Sequence, residues 1–197
     1  MESQRADGVP TFYAQDLMAW RKWLTDNHQQ TPSVWLIIFH KKSDTPSVYY
    51  DEAVDEALCF GWIDSKPNKR DGESYYQYFS QRKAKSNWSR VNKEKIARLE
   101  QEGRLQAAGI AMIAEAKRLG TWNALEEVEN GVIPADLQDA FAQFPGSESH
   151  FLAFPWSVRR GILEWIFNAK RPATRAKRIL ETAEKAAQNI RANQYRS

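Results

Sequence analysis

Between Tyr76 and Asn92 the chain sets aromatic rings and cations close together: Tyr76 and Tyr78, then Arg82, Lys83 and Lys85, then Ser86, Trp88, Ser89 and Asn92. A cation beside an aromatic face holds an anion while flat parts of the ligand stack. Ser89 is a good N-cap, so a helix is expected to start there. A helix start offers free N–H groups to an anion, and the Ser86, Ser89 and Asn92 side chains add donors. The competing reading puts Trp88 in the core and leaves the lysines as solubilising charges on a loop. The pattern fits an anionic ligand in general and does not single out RNA or DNA.

Asp64 follows Trp62-Ile63 on an expected strand. It reads either as an ion-pair or turn partner, with Arg82 as the counterion, or as a carboxylate in a Trp/Tyr-lined cleft, facing ligand or serving as a base. Cys59 is the one cysteine, so no intramolecular disulfide forms. It lies near the expected end of a helix, where the partial negative charge raises a thiol pKa, and it reads as a buried structural thiol. His28, His40 and His150 lack metal-ligand spacing, and no Gly-rich phosphate loop occurs. No metal and no cofactor is expected.

These residues need a scaffold. The run SVWLIIFH, Ser33 to His40, reads as a buried strand. Trp62–Lys66 and Tyr75–Ser80 read as two more strands, separated by the turn dipeptide Asp71-Gly72. Leu17, Trp20 and Leu24 share one face of a first helix, expected from Ala14 to Asn27; residues 1–10 read as a loose arm. Asp51 opens a second helix that ends at Gly61, where a left-handed residue is expected. From Ser89 onward the pattern is helical, with Ser157 and Thr174 as the caps of the last two helices. Val158, Ile162, Trp165 and Ile166 form the inner stripe of one; Ile179, Ala183, Ala186 and Ile190 form that of the other. The fold class is α+β: a small, mostly antiparallel sheet packed by helices, with a helical C-terminal half.

The 197 residues carry a net charge of +3, with a pI near 8.9. That total is weak evidence for nucleic acid, but its distribution alternates. Residues 82–98 and 159–178 are basic, and residues 121–150 hold acids without Lys or Arg. The pattern reads as solvated helix faces that attract one another, or as one basic face built from both basic segments. The start of the chain has no apolar run that would serve as an export signal, and no segment reaches the roughly 18 apolar residues of a membrane span. A soluble, cytoplasmic protein is expected.

Three pieces of the sequence resemble the YdeI/OmpD-associated family, small bacterial proteins often labelled bacteriocin-protection proteins. One is EALCFGWIDS, Glu56 to Ser65. The second is the pattern F-x-x-R-x-x-x-S-x-W-S-x-x-N, met by Phe79, Arg82, Ser86, Trp88, Ser89 and Asn92. The third is Ser157 with Arg159-Arg160, followed by WIFNAKRPATRAKRI from Trp165 to Ile179. VWLIIFHKK has the same look. The family often carries Pro where this chain has Gln81, which implies a looser turn there. The resemblance implies a YdeI-like α+β domain over residues 1–131 and a helical OmpD-associated-type module over 132–197. It also implies stress or antimicrobial-peptide (bacteriocin) tolerance and an association with the cell envelope, and it transfers no catalytic residue.

Three functions follow. The first is a tolerance factor that binds an unknown anionic ligand at the basic-aromatic cluster, with Trp62 and Asp64 added to the residues above. The second is a small-molecule enzyme built around an aromatic-lined cleft at Asp64. The third is a nucleic-acid-associated protein using Lys83, Lys85, Arg175, Lys177 and Arg178.

Overall fold

A computed structural model describes residues 8–193. They form two compact units, divided between Asn123 and Ala124.

The first unit is α+β. Strand β1 (Thr11–Tyr13) leads through helix α1 (Leu17–Asn27) to β2 (Ser33–Phe39). Helix α2 (Tyr50–Cys59) and the hairpin β3 (Trp62–Lys69) and β4 (Ser74–Gln81) follow, then helices α3 (Arg90–Gln101) and α4 (Ala107–Arg118). The sheet is four-stranded and mixed, in the order β1-β2-β4-β3. β2/β4 and β3/β4 are antiparallel, whereas β1 runs parallel to β2. β1 falls between the expected arm, residues 1–10, of which 1–7 lie outside the described residues, and the helix expected from Ala14; no strand was expected there. Residues 11–13 are a strand because the chain enters beside β2, where the Trp35 N–H donates to the Pro10 carbonyl at 2.9 Å. α1 accordingly starts at Leu17, with Asp16 Oδ1 accepting from the Ala19 N–H at 2.8 Å. That places a charge-bearing acceptor against the exposed donors of the first turn.

One sheet face is covered by an aromatic core. Trp20 and Trp23 of α1 stack with ring centres 5.3 Å apart, and Trp20 meets Phe79 of β4 at the same distance. Two buried indoles find carbonyls: Trp20 donates to Ala53 at 3.0 Å and Trp62 to His28 at 3.2 Å. Large rings therefore fill this core without orphaned donors.

Helix α2 carries two buried acids side by side. Glu56, 1 % exposed, is held by Arg21 of α1 and by Arg104, whose Nη2 is 2.9 Å away. Asp55 is held by Lys95 at 2.6 Å and by Arg98, both on α3. Each acid faces two cations from other elements, so the pairs fix α1, α3 and the α3–α4 turn around α2.

The end of α2 is a tight junction. Gly61 adopts φ +73°, and a Cβ there would meet the Ala108 carbonyl oxygen at 3.1 Å. Gln106 N–H donates to the Cys59 carbonyl at 3.0 Å. Gly109 comes closer still, with space for a Cβ ending 2.3 Å from the Cys59 oxygen. Only glycine lets α4 cross α2 at that height.

The second unit is helical: α5 (Glu126–Glu129), α6 (Ala135–Gln143), α7 (Ser147–Ala153), α8 (Trp156–Phe167) and α9 (Pro172–Ala187). Leu137, Phe141, Phe151, Ile162, Ile166, Ile179 and Ala183 form its core. Two caps differ from expectation. α8 is entered from Pro155 and α9 from Arg171-Pro172, so Ser157 and Thr174 lie inside the first turn. Proline at a helix start needs no N–H partner and has φ already set, which removes the need for a hydroxyl cap. Ile190 falls beyond α9 and is 49 % exposed, outside the stripe expected to hold it.

Candidate functional site

The segment 82–89 leaves the end of β4 and leads into α3. Arg82 is its first residue and its backbone N–H still belongs to the sheet end, donating to the Gly61 carbonyl at 3.0 Å. Its side chain is 4 % exposed. The guanidinium sits over Trp88, with its carbon 3.7 Å from the ring centre. Nη2 donates to the Asn87 carbonyl at 3.0 Å, and Nε is buried without a hydrogen-bond partner among the described residues. Among the described residues, no carboxylate makes an ion pair with it. Burial pulls its pKa down to about 10, opposed by the charge of Asp64, which is felt without contact. A buried cation is ordinarily paired or bound; this one has a π face and a carbonyl instead.

The expected cluster separates into parts. Trp62 and Trp88 are each 1 % exposed. Trp62 meets Trp23 edge-on at 5.8 Å, and Trp88 packs on Trp122 at 4.9 Å. Neither indole is a free stacking platform. Lys83 and Lys85 are exposed, and Ser86 N–H closes a turn onto the Lys83 carbonyl at 2.8 Å. Ser89 caps α3, accepting from the Asn92 N–H at 3.3 Å. Tyr76 and Tyr78 sit on the sheet face that carries Trp35, with Tyr78 4.8 Å from that ring. Asp64 pairs in register with Phe79, so it shares the opposite face with Trp62.

Asp64 accepts a hydrogen bond from the Tyr50 hydroxyl at 2.7 Å, and no ion pair to Arg82 forms. Burial, reinforced by the Asp64 hydrogen bond and charge, raises the Tyr50 pKa above the ordinary phenol value. Tyr75 is also raised, by burial and then by the charge of Asp51. A phenol whose pKa is raised gives up its proton less readily, and Tyr50 stands here as a hydrogen-bond donor to Asp64. Cys59 is fully buried at the end of α2. Burial pushes its thiol up to about 12, helped by Glu56 and opposed by Arg104 and Arg21.

Beside Arg82 is a cleft of about 250 Å³, whose walls are His28, Gln29, Phe60, Gly61, Trp62, Gln81, Arg82, Ala108 and Met112. Of these, sequence reasoning had singled out Trp62 and Arg82 as site residues. At Gln81, where a looser turn is expected, the side-chain amide donates to the His28 carbonyl at 2.8 Å and ties the end of β4 to the end of α1. The left-handed Gly61 lets Ala108 and Met112 of α4 close the far wall. Among the described residues, no group of three His, Cys, Asp or Glu side chains could hold a metal ion. No described helix is long and apolar enough to cross a membrane.

In the second unit, Arg160 and Arg175 are matched by acids. Arg160 bonds Glu129 at 2.8 Å and Glu164 at 2.9 Å, and Arg175 grips both oxygens of Asp136 at 2.6 and 2.9 Å.

Residues 12–112, about half of the chain, match the model of a domain of unknown function, DUF8412. Residues 130–189 match the family described as bacteriocin-protection, YdeI or OmpD-associated. The chain belongs to the DUF8412 family and carries a YdeI/OmpD-associated domain in its C-terminal unit. That domain holds the third of the three resembling pieces, Ser157 to Ile179. The other two, and the Arg82 cleft, lie within the DUF8412 match. No curated protein and no solved structure matches the chain.

Proposed function

We propose that this protein is a cytoplasmic tolerance factor against membrane-active peptides that works by binding an anionic ligand, with Arg82 as the anchoring cation. One observation carries the ligand half of the reading. The Arg82 side chain is 4 % exposed and, among the described residues, touches no carboxylate and leaves Nε without a partner. A cation kept inside a fold at the expense of its hydration is suited to receive an anion, because the missing countercharge is what the ligand supplies. Lys83 and Lys85 stand exposed on the same segment and would draw anions toward it. The tolerance half is supported by the bacteriocin-protection description of the family matched at residues 130–189.

The enzyme reading has less support, since Asp64 is already engaged by the Tyr50 hydroxyl. The nucleic-acid reading loses two of its stacking surfaces with the burial of Trp62 and Trp88, and Arg175 is already matched by Asp136.

Isothermal titration with inorganic phosphate, sodium benzoate and a single-stranded oligonucleotide tests the ligand half. Binding of at least one anion, weakened about tenfold or more in Arg82→Gln, is expected, the loss of a charge-assisted hydrogen bond being of that order. Wild-type protein that binds none of the three removes the reading. For the role, cells carrying Arg82→Gln should succumb to a pore-forming peptide that wild-type cells survive; equal survival would remove the tolerance assignment.

A further inference from the structure

We infer that the ligand of this site is a small monocarboxylate with an apolar body, seated in the cleft beside Arg82 with its carboxylate toward the guanidinium. The inference rests on the reading of Arg82 as an anion anchor. Three features of the cleft select the class.

Charge comes first. Arg82 is the only Lys or Arg in the cleft wall; Lys83 and Lys85 do not line it, and the other polar residues there are His28, Gln29 and Gln81. One cation matches one negative charge. A polyphosphate or a nucleic-acid strand would bring several charges to a wall with a single guanidinium, and the surplus would be desolvated without compensation.

Size comes second. A volume of about 250 Å³ lies below the usual range for drug-sized ligands, roughly 300–1,000 Å³. A ring or a short alkyl chain bearing one acid group is in proportion to it.

Wall chemistry comes third. Phe60, Gly61, Trp62, Ala108 and Met112 are the apolar members of the wall. They favour a hydrocarbon body over a sugar or a bare hydrated anion. Met112 is flexible and polarisable enough to adapt to it. A carboxylate also suits the guanidinium, because it takes one charge-assisted hydrogen bond while the Asn87 carbonyl keeps its bond to Nη2.

The test is a titration panel of sodium benzoate, sodium hexanoate, benzyl alcohol, benzylphosphonate and inorganic phosphate, run on wild type, Arg82→Gln, Met112→Trp and Lys83→Ala/Lys85→Ala. Benzoate or hexanoate should bind wild type. Benzyl alcohol should bind about tenfold more weakly or worse, since it lacks the charge. Arg82→Gln and the cleft-filling Met112→Trp should each weaken carboxylate binding by a similar factor, and the double lysine variant, which removes only exposed attracting charges, should weaken it less than either. Should Met112→Trp fail to fold, Ala108→Leu fills the same cleft from the same helix. Phosphate or phosphonate binding that depends on Arg82, with no carboxylate binding, overturns the ligand class and leaves the anchor standing. Carboxylate binding indifferent to Arg82→Gln overturns both. Binding lost in the lysine variant and kept in Met112→Trp places the ligand outside the cleft and overturns the inference.

Discussion

The guanidinium carbon of Arg82 lies 3.7 Å from the centre of the Trp88 ring, and both side chains are within a few per cent of complete burial. The stack holds a cation inside the first unit without an acid beside it. Trp88 thereby has a role that neither simple reading of the sequence assigned to it. It is core, and it is also the surface on which the cation lies.

Replacing Arg82 by Met should therefore separate stability from binding. The apolar chain keeps much of the contact with Trp88 and removes an uncompensated buried charge. Such replacements are often neutral or stabilising. The urea midpoint of Arg82→Met should equal or exceed that of wild type while anion binding is lost. A large fall in the midpoint would mean that the arginine is there for the fold.

Glu56 should behave in the opposite way. It is 1 % exposed and joins Arg21 to Arg104. Glu56→Ala should cost roughly 3 kcal/mol, the low end for breaking a buried pair, because both arginines retain contact with water. Denaturant unfolding reads this directly, and a cost under about 0.5 kcal/mol, the size of a surface effect, would contradict it.

Gly109 and Gly61 are constrained differently. At Gly109 a methyl group would press on the Cys59 carbonyl, a backbone atom that cannot turn aside. Gly109→Ala should cost about 3 kcal/mol or more, as severe overpacking does. Gly61→Ala combines a positive φ with a milder 3.1 Å contact, and about 1–2 kcal/mol is expected from the backbone alone. The order of the two thermal melts is the check.

Cys59 supplies a pH dependence. Its folded pKa is raised to about 12 from an ordinary 9.0, with burial as the main cause. A raised pKa means that the unfolded chain releases the proton first. The stabilisation is complete below about pH 9 and is lost as the pH rises toward 12. The stability of Cys59→Ala should decline less steeply over that window. Native wild type should also react slowly with thiol reagents at neutral pH; rapid labelling would contradict the burial.

Much of the fold was legible because it is written locally. SVWLIIF announces β2, the Asp71-Gly72 turn separates β3 from β4, and Ser89 does cap α3. β1 was not legible, since three residues carry no periodicity and only the backbone of β2 makes them a strand. The misplaced caps at Ser157 and Thr174 share a cause: a hydroxyl is a visible signal, whereas a proline that makes one unnecessary is easily read as a breaker. Site residues were legible by type and not by arrangement. Arg82 and Trp88 stood out in the sequence, but whether a ring stacks on ligand or on its own chain is a question of burial. The Tyr50–Asp64 bond and the walls contributed by His28 and Met112 join distant segments, and nothing local marks them.

The most direct measurement is the side-chain Nε–Hε resonance of Arg82 in ¹⁵N-labelled protein, followed during a titration with sodium benzoate and, separately, with inorganic phosphate. Arg82→Gln assigns the signal by its absence. A saturable shift of that resonance with at least one anion is the result expected of a buried cation awaiting its countercharge. A resonance that stays in place through both titrations, in protein that remains folded, would contradict the role given to Arg82.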